Sequence, residues 1–240
     1  MKLTKKQYYS KLEFYQGIWG FLKASLRDLL KLGVSFLLLL VFALMSCKSK
    51  ADKPSEVTKL PYFNSADFTP EWNTPRHKIP EFSFTNQNGM ETNTKTYEGK
   101  IYVADFFFTS CPGICPKLTK NMGVIQEAYK NDNDILLLSH TVMPWKDSVP
   151  LLKEYAVKHR VLDEKWNLVT GDKDQLYHIA RHGYFADEDF TKTQDESDFI
   201  HTENLVLVDK KGYIRGVYNG TLEIDIERLK RHIGILRKET

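Results

Sequence analysis

Two of the three cysteines in this chain of 240 residues lie four positions apart, directly after an apolar run. Cys111 and Cys115 enclose a Pro-Gly-Ile loop, and Pro116 follows at once. Paired thiols at this spacing are suited to a redox disulfide, to a soft metal ion or to a structural bridge. The surrounding residues decide which of these three uses is favoured.

The residues after the pair predict that it stands at the start of a helix. Apolar side chains recur there at helical spacing, namely Leu118, Met122, Ile125 and Tyr129. Pro116 fits the first helical position, where no N–H is needed, and the positive end of the helix dipole stabilises a thiolate. A bridge that closes so short a loop restrains the unfolded chain little. A structural bridge is therefore disfavoured, whereas the redox pair and the metal site both stay open.

The chain on both sides of the pair predicts alternating strands and helices. Residues 100–108 form a continuous β-branched and aromatic run, typical of a central strand buried on both faces. Residues 81–85 and the turn at 86–89 predict a hairpin at the start. Further strands are predicted at 135–139, 166–170, 204–208 and 213–218, and further helices at 148–159, 172–182 and 224–236. This order predicts an α/β fold of the thioredoxin-like class, with a central mixed sheet flanked by helices.

The segment TSCPGICPKLTKNM resembles the Sco/SenC family of copper-binding proteins, whose hallmark is C-P-x-x-C-P on a thioredoxin-like fold. The resemblance runs from about Ile79 to Lys238. In this family a distant histidine just before a late strand completes the metal site. His201, in the segment DFIHTENLVLVD, stands in that setting. The resemblance therefore implies that Cys111, Cys115 and His201 are metal ligands.

The chemistry of this ligand set agrees with copper. Two thiolates are soft donors suited to Cu(I), and an added imidazole lets the same site hold Cu(II). Zinc is the competing metal, but its structural sites usually have four protein ligands, and only three are found here. The resemblance implies that the protein assists assembly of the copper centre of cytochrome c oxidase. It would deliver copper to the copper-site subunit, or keep that subunit's cysteines reduced, as a carrier and not as an enzyme.

The alternative function is a thiol–disulfide oxidoreductase, in which Cys111 attacks a disulfide and Cys115 resolves it. Thioredoxin-like exchangers resemble one another in carrying a proline before the strand that faces the cysteines. All nine prolines of this chain lie at or before Pro150. His201 stands where that proline is expected, and the copper carrier is therefore preferred.

The loop after the second central strand departs from the family pattern. Family members resemble S-x-D-P-x-x-D there, whereas this chain reads SHTVMPWKD, with Met143 in place of Asp. His140 and Met143 are donors that copper accepts, so an auxiliary contact is one interpretation. Packing of the Met143 thioether on Trp145 is the preferred one.

Three other polar residues have two interpretations each. His178 and His182 stand four apart on a predicted helix, which is the spacing of a metal-binding pair, but a solvated helix face is preferred. Asp105 lies inside the apolar strand, where a lone carboxylate is costly. It is either a proton or hydrogen-bond partner beneath the cysteine loop or a residue at a polar edge.

Residues 1–46 have the pattern of an export signal. Basic residues precede the apolar run 32–45, and Cys47 follows directly after Ser46. The segment Leu-Met-Ser-Cys resembles a bacterial lipobox, which implies cleavage before Cys47 and attachment of lipid to its sulfur. An uncleaved anchor at about 29–45 is the alternative. Both place the rest of the chain at a membrane, facing the periplasm or the cell exterior.

The remaining chain is predicted to divide into a tether and one domain. Residues 47–78 are polar and proline-rich, as in a tether, and residues 79–238 form the predicted thioredoxin-like copper-binding domain. The net charge of +3 arises from the leader, because residues 1–46 hold seven basic and two acidic residues. The remainder holds 27 basic and 29 acidic residues, which gives no reason to expect a nucleic-acid partner.

Overall fold

A computed structural model describes residues 58–187 and 199–239 of the chain. The strands are β1 (Tyr62–Phe63), β2 (Pro70–Glu71), β3 (Ser83–Asn86), β4 (Glu91–Asn93), β5 (Ile101–Phe107), β6 (Ile135–Thr141), β7 (Trp166–Thr170), β8 (Asn204–Val208) and β9 (Ile214–Asn219). The helices are α1 (Thr94–Tyr97), α2 (Cys115–Tyr129), α3 (Val149–His159), α4 (Lys173–His178) and α5 (Glu223–Leu236). A π-helical turn, Ile179–Gly183, continues α4.

A mixed sheet of seven strands, in the order β4-β3-β7-β6-β5-β8-β9, forms the centre of the domain. β5 pairs with β6 in parallel and with β8 in antiparallel orientation. All seven residues of β5 are buried, as its continuous apolar run predicts. The predicted fold, a hairpin followed by a central mixed sheet flanked by helices, is confirmed.

Two hydrophobic cores cover the two faces of the sheet. Val103 and Phe107 of β5 belong to the core that also receives α2, α3 and α5. Ala104 and Phe106 belong to the opposite core, which receives α4 and the π-helical turn. Side chains in a strand alternate between the two faces. Consecutive residues along β5, and likewise along β6, therefore lie in different cores. This alternation determines which polar groups lie beneath the cysteines.

Part of the segment predicted as a tether packs against the domain. The side chain of Leu60 is buried, and its backbone N–H donates to the Glu239 carboxylate at 2.7 Å. The Arg215 guanidinium donates to the carbonyl oxygens of Leu60 and Pro61 at 2.6 and 3.0 Å. The packed domain thus begins before residue 79. The polar composition of 47–78 does not predict this, because backbone carbonyls make most of these contacts.

The predicted export segment and Cys47 lie outside the described residues. Within 58–187 and 199–239, no helix has both the length and the apolar character needed to cross a membrane. The predictions of a cleaved lipoprotein signal or of an anchor at 29–45 therefore stay predictions.

The helix predicted at 172–182 changes its hydrogen-bonding pattern halfway. α4 begins after Asp172, which is the predicted cap residue. From Ile179 the chain forms a π-helical turn, in which the Tyr184 N–H donates to the Ile179 carbonyl at 2.9 Å. A side chain at Gly183 would lie 2.8 Å from Ile179 and 3.2 Å from Pro80. Glycine therefore lets this turn pack closely against Pro80, in the chain that leads into β3, without displacing the Ile179 side chain.

His140 is buried in the core opposite the cysteine helix, surrounded by aromatic rings. Its ring stacks on Phe106 at 5.0 Å between centroids and contacts the rings of Phe84 and Tyr184 at 5.7 and 5.2 Å. Neither ring nitrogen has a hydrogen-bonding partner in the described structure. The interpretation of His140 as a copper contact on a loop is therefore wrong, because β6 extends to Thr141 and turns this side chain inward.

The burial of His140 predicts a specific loss of stability in acid. Burial lowers the pKa of His140 from 6.5 to about 3. Between these two values the unfolded chain binds one proton more than the folded chain, so the free energy of unfolding falls as the pH drops through this window. His140→Phe removes both the titration and the unsatisfied nitrogens. We expect this variant to be more stable by about 1–3 kcal/mol at pH 8 and by a larger margin at pH 5.

Urea unfolding of the unchanged chain and the variant at both pH values measures this difference. His178→Phe, which makes the same exchange of rings at an exposed position, is the matched control and should not reproduce the gain of His140→Phe at pH 8. An equal gain for His140→Phe at pH 5 and pH 8 would contradict the proposed cause.

Candidate metal centre

The fold brings the predicted ligands to one edge of the sheet. β5 and β6 are parallel, so their carboxyl ends lie at the same edge. The cysteine loop leaves β5 at this edge, after Phe107, and leads directly into α2. Because β8 is antiparallel to β5, it begins at the same edge, a few residues after His201. A site shared by the loop and the chain before β8 is therefore compatible with the topology.

Cys115 is the first residue of α2 and Pro116 the second, so the helix begins one residue earlier than predicted. Cys111 and Cys115 are both free thiols. Cys111 is partly exposed, whereas Cys115 is buried under the first turn of the helix. The loop therefore presents one sulfur to solvent and holds the other inside.

The two thiols differ in acidity because of their surroundings. Partial burial alone would raise the pKa of Cys111, but hydrogen bonds from the Cys115 thiol and from the backbone of residues 113–115 outweigh it and lower the pKa. Burial raises the pKa of Cys115, and its hydrogen bond to Cys111 raises it further. Cys111 is thus the sulfur that becomes a thiolate first, while Cys115 keeps its proton and donates it.

Asp147 fixes the start of the cysteine loop, although the sequence reasoning assigned it no role. Its side chain is fully buried and accepts hydrogen bonds from the Thr109 N–H at 3.2 Å and the Thr109 hydroxyl at 2.6 Å. It also accepts from the Thr141 hydroxyl at the end of β6. The only sequence signal was its position as the last residue of the SHTVMPWKD run. One carboxylate therefore joins the ends of two parallel strands.

Asp105 lies inside the domain, in the same core as Cys115. The Ser139 hydroxyl donates to the Asp105 carboxylate, and the Trp166 indole N–H donates to the Ser139 oxygen at 2.8 Å. Burial raises the pKa of Asp105 to about 7, although the bond from Ser139 opposes this. A negative charge on Asp105 contributes to the raised pKa of Cys115. The polar-edge interpretation of Asp105 is wrong, because the residue is buried and hydrogen-bonded to Ser139. A proton role toward the cysteine loop stays a prediction.

His201 is exposed, and aromatic rings connect it with the end of β5. Its ring contacts that of Phe199 at 4.8 Å, and Phe199 contacts Phe108, next to the cysteine loop, at 5.5 Å. Within 58–187 and 199–239, however, no three His, Cys, Asp or Glu side chains lie close enough together to hold a metal ion. The structure thus brings Cys111 and Cys115 together without His201. The complete ligand set stays a prediction.

Met143 is half-buried, and Trp145 is largely exposed. The Met143 N–H donates to the Thr141 hydroxyl at 3.0 Å, which orients the loop after β6. The Lys173 ammonium lies over the Trp145 ring at 5.6 Å. The proposed packing of the Met143 thioether on Trp145 stays a prediction.

Comparison with known proteins identifies the relatives of this chain. The model of the SCO1/SenC family matches residues 71–234. A SCO1 protein homolog of Bacillus subtilis (strain 168) is 30% identical over 146 residues, which cover 60% of this chain and 75% of the relative. A proposed copper-binding protein of Stutzerimonas stutzeri is 28% identical over 154 residues, covering 63% of this chain and 74% of the relative.

A solved structure shows the same fold. The crystal structure of a SCO1/SenC family lipoprotein from Bacillus anthracis (strain Ames) superposes with a TM-score of 0.59 at 28% identity. The superposition covers 69% of this chain and 98% of that protein. Residues 71–234, which the family model matches, include the cysteine loop and the chain around His201.

The unequal thiols predict unequal alkylation. In the reduced chain at pH 7, we expect iodoacetamide to modify Cys111 at least about tenfold faster than Cys115, since the thiolate is the reactive species. Cys115→Ala removes the donor to Cys111, whereas Cys115→Ser keeps an O–H donor and serves as the matched control. We expect the pH midpoint of Cys111 alkylation to be higher in the alanine variant by about one unit.

Mass spectrometry of the digested chain resolves the modified peptides and gives both rates. Equal midpoints in the alanine and serine variants would show that the Cys115 donor does not set the acidity of Cys111. Faster modification of Cys115 than of Cys111 in the unchanged chain would contradict the assigned order.

Proposed function

The chain belongs to the SCO1/SenC family, and on that basis we propose that it is an exported, membrane-anchored copper carrier. Its task would be to assist assembly of the copper centre of cytochrome c oxidase, by delivering copper to the copper-site subunit or by reducing that subunit's cysteines. The observation that carries the proposal is the pair of free thiols at the start of α2, at the sheet edge where His201 also lies. The copper-binding character proposed for the Stutzerimonas stutzeri relative supports it.

The donor chemistry fits copper as cargo. Cys111 and Cys115 supply two sulfurs, which favour Cu(I), and His201 supplies the nitrogen that makes Cu(II) acceptable. Thiol ligands bind metal as thiolates, so loading requires loss of both thiol protons. Cys111 gives up its proton first, because its pKa is lowered, and Cys115 gives up its proton only when the metal replaces it. Affinity for copper should therefore rise with pH.

An exposed third ligand suits a carrier better than a storage site. His201 reaches the sulfurs only if it moves from its place beside Phe199. A site that can gain or lose one ligand can also pass its metal to a partner, whereas closed sites with four protein ligands hold theirs. His201 would thus complete the site on loading and release it on transfer.

Membrane attachment is proposed through the N-terminal segment. The lipobox-like sequence ends at Cys47, and the Bacillus anthracis neighbour is itself a lipoprotein. Attachment of lipid at Cys47 would place the domain on the outer side of a membrane, in the periplasm or at the cell exterior. An uncleaved anchor at 29–45 gives the same orientation without lipid.

The unequal thiols also support a second candidate, thiol–disulfide exchange. The Cys111 thiolate would attack one sulfur of a client disulfide, and the other client sulfur would leave as a thiolate. The Cys115 thiolate would then displace the first client sulfur. The products are a Cys111–Cys115 disulfide and a reduced client. This reaction needs no metal and no contribution from His201, and these two features distinguish it from the carrier.

Anaerobic Cu(I) titration of the reduced chain against a competing chelator separates the two candidates. We expect one tightly bound Cu(I), abolished by Cys111→Ser or Cys115→Ser and weakened at least about tenfold, or about 1.4 kcal/mol, by His201→Ala. His159→Ala, away from the sheet edge that carries the site, is the matched control and should bind normally.

Unchanged binding in His201→Ala, together with reduction of insulin disulfides by the metal-free chain, would support the exchanger and contradict the carrier. Binding that survives either cysteine substitution would contradict both assignments of the site.

Attachment of lipid is tested separately. Cells that express the chain with radiolabelled palmitate should yield a labelled protein in the membrane fraction, and Cys47→Ser should lose the label. The same substitution leaves an uncleaved anchor intact, because that anchor needs no cysteine. An unlabelled membrane protein that retains residues 1–46 would contradict lipidation and support the anchor.

A further inference from the structure

His178 and His182 lie at the mouth of a cleft on the face of the sheet opposite to the cysteine helix. His178 ends α4, and His182 belongs to the π-helical turn that follows. Both side chains are exposed. Both line a cleft with a volume of about 820 Å³, which lies between this helix and the chain that enters β3. The apolar neighbours of the pair, Ile179 and Ala180, belong to the core that excludes the cysteines.

The two imidazole rings are as close as the ligands of one metal ion. Their centroids lie 4.7 Å apart, with an angle of 41° between the ring planes. Two imidazoles that each place a nitrogen about 2.0–2.1 Å from a shared ion have ring centres about 5 Å apart. The observed separation is therefore compatible with both rings binding one ion.

The backbone that carries the pair is held firmly. Ile179 and Ala180 are almost completely buried between the two histidines. The Ala186 N–H donates to the Ala180 carbonyl at 2.8 Å, and Gly183 packs closely against Pro80. Single π-helical turns are frequent at functional sites. The two histidines thus stand on a rigid element, which reduces the entropy lost when both bind one ion.

The charges around the cleft favour a cation. Asp174, one turn before His178, and Glu81, on the opposite wall, line the same cleft. The positive charge of Arg181 is paired with the buried Asp187 carboxylate at 2.8 Å. The Lys173 ammonium lies over the ring of Tyr177 at 5.0 Å. Lys173 keeps its positive charge, so Asp174 and Glu81 together leave a single net negative charge in the cleft to offset that of a bound ion.

We propose that His178 and His182 form a second metal site, which binds a borderline divalent cation through two imidazole nitrogens. The order of affinities for nitrogen ligands makes Cu(II) the strongest occupant, ahead of both Ni(II) and Zn(II). Among residues 58–187 and 199–239 no third His, Cys, Asp or Glu lies close enough to bind the same ion, so the described part of the chain supplies two of its ligands. The site is therefore exchangeable and differs from the thiol pair in both location and metal preference.

Cu(II) is the probe for the test, with the full-length chain in detergent and both loop thiols removed by the double substitution Cys111→Ser and Cys115→Ser. In this background we expect one Cu(II) ion to bind per chain at micromolar concentrations of the metal. Its electron paramagnetic resonance spectrum should be typical of nitrogen ligands. His178→Ala and His182→Ala should each weaken binding at least tenfold. His159→Ala is the matched control and should bind as the background does.

The background without the two loop thiols makes the outcome independent of the proposed copper carrier. Loss of Cu(II) binding on His201→Ala, with His178→Ala and His182→Ala without effect, would assign the ion to His201 and overturn the proposal. Absence of Cu(II) binding in the background chain would overturn it as well. Circular dichroism of each variant checks that the fold is intact, which the exposure of both histidines leads us to expect.

Discussion

The buried Asp147 carboxylate is the interaction on which the geometry of the cysteine loop depends. Because β5 and β6 are parallel, no turn joins their carboxyl ends, and each strand leads into a different loop. Asp147 joins them by accepting both polar hydrogens of Thr109 and the hydroxyl of Thr141. A buried carboxylate is costly unless such donors surround it, and removing one of them leaves it with fewer hydrogen bonds to offset that cost. Asp147 thus holds the chain that leads into the cysteine loop.

Two buried titratable groups on paired strands oppose each other in their dependence on pH. Asp105 and His140 lie on opposite faces of the sheet, one in each core. The raised pKa of Asp105 means that the folded chain binds the extra proton between about pH 4 and 7, so this residue lowers stability as the pH rises. The lowered pKa of His140 has the opposite sign over about pH 3 to 6.5. The two effects partly cancel in mild acid, and above about pH 7 neither contributes a further slope.

The strand and helix order was predictable because burial imposes a period on the sequence. The run at 100–108 and the helical spacing after Cys115 led directly to β5 and α2. Contacts made by backbone atoms leave no such period, which is why the packing of Leu60 under Arg215 was not predicted. Asp147 was missed for a related reason, since its partners come from two strands separated along the chain. The place of Asp105 could be decided only when Ser139 and Trp166 were seen beside it.

The asymmetry of the two sulfurs follows from the requirements of a loop that must react and yet remain folded. If both thiols were exposed, both would ionise freely and repel each other. If both were buried, neither would reach a metal or a partner. Here Cys111 is accessible and acidic, while Cys115 is shielded and donates a hydrogen bond to it. A soft cation can replace the shared proton and hold both thiolates at once, and it can approach through Cys111, which is partly exposed. The same asymmetry makes an ordered attack on a disulfide feasible, so the distinction between carrier and exchanger depends on the imidazole of His201.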